Sequence, residues 1–179
     1  MAKKLTEGII APDFEFMTPW EGPLSFYPLL DEGAVALYFL RYLGCPVCRM
    51  EMDAIKADAA RFEGKGVRVV VMLQSARQTL AENLRENDYP FLIACDPEAD
   101  IYTQYRVSPG SFLQYVAPPA ALKAMKALRE GYTHGRKEGL ELQLPAVFLV
   151  GRDRQIRYLH YGRHVADVVE TGEVLKQAG

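Results

Sequence analysis

Apolar positions in this chain come in short dense runs separated by stretches with helical spacing, and the alternation predicts an α/β domain. Residues 34–42 read Ala-Val-Ala-Leu-Tyr-Phe-Leu-Arg-Tyr, almost continuously apolar, as expected of a strand covered on both faces of a sheet. A second run, rich in β-branched residues, spans 67–73, and a third spans 91–95 between Pro90 and the pair Asp96-Pro97. Between the first two, Cys48, Met52, Ile55, Ala59 and Phe62 recur at helical spacing until Gly64 and Gly66 end the pattern. Residues 76–87 read as a helix with Leu80 and Leu84 on one face, and a short helix covers 101–105.

The second half adds a long connection and a hairpin. Residues 109–142 exceed an ordinary loop, and such insertions often serve as lids or interaction surfaces. Within them, 119–129 predicts a helix carrying Leu122, Met125 and Leu128, with Pro119 tolerated in its first turn. Phe112, Leu113, Tyr115 and Val116 precede it, so the insertion covers the cysteines, forms a homodimer contact, or simply completes one sheet face. Pro145 opens a strand over 146–150, and Gly151-Arg152-Asp153-Arg154 turns it into a strand over 155–161, an antiparallel pair. Val165, Val168, Gly172 and Leu175 suggest a closing helix. Pro12, Pro19, Pro23 and Pro28 make the first thirty residues an irregular lead-in with one short hairpin. No repeat, low-complexity tract or linker interrupts the chain. The expectation is one domain over 1–179, a central mixed sheet flanked by helices, with 109–142 inserted before the last hairpin.

Composition narrows the function classes. A net charge of −2, with both signs scattered along the chain, gives no electrostatic reason to expect nucleic acid or an anionic membrane as partner. No apolar run approaches the roughly 20 residues that cross a bilayer. The start, Met-Ala-Lys-Lys-Leu-Thr-Glu-Gly, lacks the apolar segment of a signal peptide, which points to the cytoplasm. Three cysteines do not make a disulfide scaffold, and in a reducing compartment a close pair reads as chemistry.

That pair is Cys45-Pro46-Val47-Cys48, at the end of a strand and the start of a helix. Free amides and the positive end of a helix dipole stabilise a thiolate there. Two intervening residues place Cys48 one turn on, where it can resolve a mixed disulfide or a sulfenic acid on Cys45. Pro46 suits the first helical position. Cys48 begins the apolar stripe through Met52 and Ile55 and is expected to be the more buried, which makes Cys45 the attacking sulfur. Two blander readings compete: chance adjacency of structural cysteines, and zinc binding, for which a second Cys-x-x-Cys is missing.

The segment Gly8-Ile-Ile-Ala-Pro-Asp-Phe14 resembles the opening of the alkyl hydroperoxide reductase/thiol-specific antioxidant (peroxiredoxin) family. The run Tyr38-Phe-Leu-Arg-Tyr-Leu-Gly-Cys-Pro-Val-Cys-Arg49 is similar to its peroxiredoxin-like branch, and the likeness extends through 91–96 and 142–150 with the following hairpin. The resemblance implies a thioredoxin-like fold and reduction of peroxides or disulfides by a cysteine at the position of Cys45. Electrons would come from a thioredoxin- or glutathione-type reducing system, with no metal or organic cofactor. Two departures matter. Peroxidatic members carry Pro and Thr or Ser where this chain has Tyr38 and Tyr42, and an Arg where it has Pro145. A proline there resembles the cis-proline of thioredoxins, which tilts the expected reaction toward thiol–disulfide exchange, with a thiol peroxidase as the alternative. A non-catalytic redox sensor or metal-handling protein is a third reading.

Several side chains are secondary candidates. Arg41 and Arg49 flank the pair, either as thiolate stabilisers or as solvated or structural charges. Tyr42 is placed to bond a sulfur or a substrate, or else packs at the sheet end. Cys95 ends a strand as a small hydrophobe or a second resolving thiol. His134, His160 and His164 match no carboxylate pattern and read as exposed or packing histidines.

Overall fold

The lead-in forms an antiparallel hairpin, β1 (Glu15–Phe16) and β2 (Leu24–Ser25), in the computed structural model, which describes residues 3–178. Met1, Ala2 and Gly179 of the expected 1–179 domain lie outside the described residues. A helix absent from the sequence reading follows at once, α1 (Phe26–Glu32). Pro28 falls in its first turn, where a missing N–H costs nothing. Proline there is compatible with a helix start, so the irregular reading of this stretch was too broad.

The apolar runs become strands β3 (Ala34–Phe39), β4 (Val67–Leu73) and β5 (Leu92–Cys95). The segment after β3 is two helices, α2 (Pro46–Ala57) and α3 (Ala59–Gly64), broken at Asp58, rather than one. Beyond β4 lie α4 (Arg77–Asn83) and, after β5, α5 (Asp100–Gln104). The insertion holds α6 (Phe112–Tyr115) and α7 (Pro118–Arg129). The chain closes with β6 (Ala146–Val150), β7 (Ile156–Tyr161) and α8 (Thr171–Gln177). Val165 and Val168 precede that last helix rather than belonging to it.

The strand order is β5-β4-β3-β6-β7, parallel among β5, β4 and β3 and antiparallel across β3-β6-β7. Alternate residues of β3 feed two cores. Ala36 and Tyr38 face α2, α3 and α7, and Val35, Leu37 and Phe39 face α1, α5 and the hairpin. The second core is aromatic: the Phe148 ring meets Phe39, Tyr105 and Tyr161 edge-on at 5.5, 5.1 and 5.4 Å between centroids, a favoured geometry.

The packing of α7 reverses the expected face. Leu122, Met125 and Leu128 are 68%, 49% and 56% exposed, while Ala120 and Ala127 are buried toward α2. Small residues let the two helices approach closely, and Lys123 Nζ reaches Glu51 Oε1 of α2 at 2.6 Å. Among the described residues no helix is long and apolar enough to cross a membrane.

Candidate active site

The segment from Leu40 to Gly44 leaves the C-terminal end of β3 and crosses the end of the sheet. The Leu40 N–H donates to Met72 O at 3.1 Å, Gln74 N–H to Arg41 O at 2.7 Å, and Leu43 N–H to Ser75 Oγ at 3.0 Å. The Tyr102 hydroxyl donates to the carbonyls of Leu40 and Met72. These bonds anchor the loop that delivers Cys45 to the N-cap of α2, with Pro46 as the first helical residue.

Both sulfurs sit among hydrogen-bond donors. Cys45 Sγ accepts from the Cys48 N–H at 3.4 Å and from Arg41 Nη2 at 3.0 Å. Cys48 Sγ accepts from the Arg41 N–H at 3.4 Å. The cysteines are equally hidden, at 0% and 4% exposure, so the expected difference in burial is not found. The asymmetry is electrostatic instead. A hydrogen bond from the Cys48 thiol, with the Arg41 guanidinium, outweighs desolvation and lowers the Cys45 pKa to about 6. Burial pushes the Cys48 thiol well above its ordinary value, and the neighbouring sulfur adds to this. Both directions favour a thiolate on Cys45 over one on Cys48.

Arg41 is itself buried, at 6% exposure. Burial alone would favour loss of its charge, but Cys45 and Cys48 hold the proton on more firmly than usual. Its guanidinium is fixed by Nη1 donating to Glu141 O at 2.6 Å and lies 5.6 and 5.7 Å from the rings of Tyr42 and Tyr115. Arg49 makes no bond to either sulfur. Its Nη2 donates to Thr133 O at 2.7 Å, so of the two flanking arginines only Arg41 touches the chemistry.

Tyr42 is buried but does not reach a sulfur. Its hydroxyl donates to Glu141 Oε1 at 2.5 Å and lies 3.3 Å from His134 Nε2. Burial and the Glu141 bond raise its pKa. Glu141, which the sequence did not single out, and His134, read there as an exposed or packing histidine, are thus partners of Tyr42, and both come from the insertion about a hundred positions away. His160 has a carboxylate neighbour, Asp167, at 3.3 Å, contrary to the expectation for that histidine.

Pro145 corrects the thioredoxin analogy. Among the described residues the cis peptide is Gly22–Pro23, so the bond before Pro145 is trans. Pro145 O accepts from the Gly162 N–H at 2.8 Å, and a Cβ at Gly162 would stand 2.8 Å from the proline ring. Pro145 sits at the open end of the β6–β7 hairpin, beside the Ala146–Tyr161 pair. Cys95 lies on the edge strand, separated from β3 by β4. Burial raises its thiol to about 11, which makes it a poor nucleophile.

Residues 132–142 wrap over the cysteine loop. Gly135 N–H donates to Gly44 O at 2.8 Å, and Leu140 N–H to Gln74 Oε1 at 2.7 Å. The approach at Gly44 requires glycine, since a Cβ there would lie 2.1 Å from Arg136 O. Among the described residues no group of three or more His, Cys, Asp and Glu side chains converges on one point. A guanidinium 3.0 Å from Cys45 Sγ also repels a cation from that sulfur.

A Cys-Pro-Val-Cys pair at a strand-to-helix junction, on a five-stranded mixed sheet flanked by helices, defines the thioredoxin-like fold. The model of the AhpC/TSA family matches residues 8–159, and the chain belongs to that family. Among solved structures it is similar to the peroxidoxin BcpB from Mycobacterium tuberculosis, with 16% identity, coverage of 96% of this chain and 95% of the other, and a TM-score of 0.68. A mutant of the peroxiredoxin 6 of Arenicola marina gives 16% identity, 97% and 72% coverage and a TM-score of 0.70. A putative thiol:disulfide interchange protein DsbE from Chlorobium tepidum gives 19%, 98% and 100%, and 0.64. These likenesses carry the fold. No curated protein matches the sequence.

Proposed function

We propose that the chain is a thiol peroxidase that reduces small hydroperoxides through Cys45 and resolves through Cys48. The observation that carries this reading is a thiolate-forming sulfur with no exposed surface, bonded by a buried guanidinium beneath residues 132–142. Such a sulfur admits a small peroxide far more readily than a folded protein's disulfide. With Pro145 trans, the argument that ranked disulfide exchange first loses one of its two supports and keeps the other, Tyr42 where peroxidatic members carry Thr or Ser.

The Cys45 thiolate attacks one peroxide oxygen, the O–O bond breaks, and the leaving alkoxide takes up a proton to depart as an alcohol, leaving Cys45 as a sulfenic acid. The Arg41 guanidinium stabilises the thiolate and the charge that moves onto the leaving oxygen. The Cys48 thiol then attacks the sulfenic sulfur, forming the Cys45–Cys48 disulfide and releasing water. Two equivalents of a cytoplasmic thiol, from a thioredoxin- or glutathione-type system, restore the dithiol.

Disulfide exchange is the second reading, supported by the resolving Cys48 thiol already bonded to Cys45. It requires residues 132–142 to move aside. The discriminating experiment follows hydroperoxide consumption and insulin-disulfide reduction for the parent, Cys45→Ser and Cys48→Ser. We expect peroxide turnover lost in Cys45→Ser, and a sulfenic acid trapped by dimedone in Cys48→Ser. Insulin reduction without peroxide turnover would reverse the two readings.

A further inference from the structure

A cavity adjoins the cysteine loop. It measures about 140 Å³ and is lined by Leu43, Gly44, Arg49, Thr79, Arg136 and Glu138 among others. Two buried polar atoms of its lining have no partner: Nε of Arg49, a donor, and Oε2 of Glu138, an acceptor. The other Glu138 oxygen accepts from Thr79 Oγ1 at 2.7 Å, which fixes the carboxylate. The Arg49 guanidinium is held by Thr133 O at 2.7 Å. Buried groups of this kind are almost always satisfied, and here the orphans have opposite polarity and lie in the wall of one cavity.

We propose that this cavity binds the head group of the reductant, a low-molecular-weight thiol with a free α-amino acid end. An α-carboxylate accepts from Arg49 Nε and faces the exposed Arg136 guanidinium, while the α-ammonium donates to Glu138 Oε2. A cavity of about 140 Å³ far exceeds the roughly 10–15 Å³ that a single water needs, so it has room for such a head group. Gly44, directly before Cys45, and Arg49, directly after Cys48, form part of the wall, so the site borders the segment that carries the disulfide to be reduced. Holding the thiol there raises its effective concentration. The inference rests on the peroxidase reading and names its electron donor: two such thiols deliver two electrons to Cys45–Cys48, leaving as their own disulfide while the protein regains two thiols.

The test measures reduction of the oxidised protein by cysteine and glutathione against N-acetylcysteine and 2-mercaptoethanol, each corrected for thiolate fraction. Cysteine and glutathione are expected to show saturation. Glu138→Gln is expected to lower their rate constants about tenfold, the worth of a charged hydrogen bond, with 2-mercaptoethanol within about twofold of the parent on the same grounds. Equal loss for every thiol, or equal rates for all four in the parent, overturns the proposal. A redox-free arm follows binding of S-methylcysteine to the Cys45→Ser protein, with and without Glu138→Gln. Binding that Glu138→Gln abolishes supports the site, even if peroxide never oxidises the parent and the peroxidase reading fails. Absence of binding beside normal peroxide turnover overturns the site and leaves that reading intact.

Discussion

The two faces of the end of β3 are held together by different forces. On one face Phe39 packs into Phe148, Tyr105 and Tyr102, an apolar aromatic cluster. On the other, Arg41, Tyr42, Glu141 and His134 tie the cysteine loop to the insertion through polar bonds. Apolar burial scales with area and does not depend on which groups are ionised. A charged network does depend on it, and opening it exposes little apolar surface. The aromatic face is therefore the fixed platform, and the polar face is where ionisation and access are controlled.

Phe148→Ala challenges the platform most severely. We expect a loss of about 3–5 kcal/mol in unfolding free energy, as for other buried aromatics, by urea denaturation. The alkylation midpoint of Cys45 should stay in place, and a midpoint that moves with the core would break the distinction. Arg41→Met tests the other face. Alkylation by iodoacetamide is expected to show a midpoint near pH 6 in the parent, where Cys45 titrates. The variant's midpoint should rise by about one to three pH units on loss of the adjacent cation.

Lys123→Met removes the partner of Glu51, whose carboxyl is already raised by burial. We expect about 1–2 kcal/mol of destabilisation, since the pair is mostly shielded from solvent, with Cys45 reactivity unchanged. A gentler test compares stability against pH for the reduced and disulfide forms. An unfolded thiol titrates near about 8.5, while native Cys45 titrates at about 6. Cys45 therefore contributes stability that is full above the unfolded value and is lost as pH falls through about 6. Cys48, protonated well above the usual range, contributes in the opposite sense and costs stability above the unfolded value. The reduced protein should gain stability relative to the disulfide form between these limits, and parallel curves would refute the assigned ionisation.

Much of the fold was legible because apolar periodicity is a local property. Residues 67–73 and 146–150 are the observed β4 and β6, and the cysteines fall at a strand-to-helix junction as their spacing implied. Faces were harder to read. The stripe Leu122, Met125 and Leu128 has helical spacing, yet the helix turns its alanines inward, because close packing on α2 and the Lys123–Glu51 pair set its rotation. The resemblance to thioredoxins at Pro145 rested on residue type alone and missed the backbone geometry.

The sequence by itself determined the chain order of the five strands in the main sheet, the Cys-Pro-Val-Cys motif at a helix N-terminus and the family. Tertiary structure decided which sulfur is placed to favour a thiolate. That depends first on the hydrogen bond from Cys48 and then on a guanidinium 3.0 Å from Cys45, held in turn by a carbonyl a hundred residues along the chain. Charge interactions act through space, and only folding brings the insertion over the cysteine loop, where Glu141, Tyr42 and Arg41 meet.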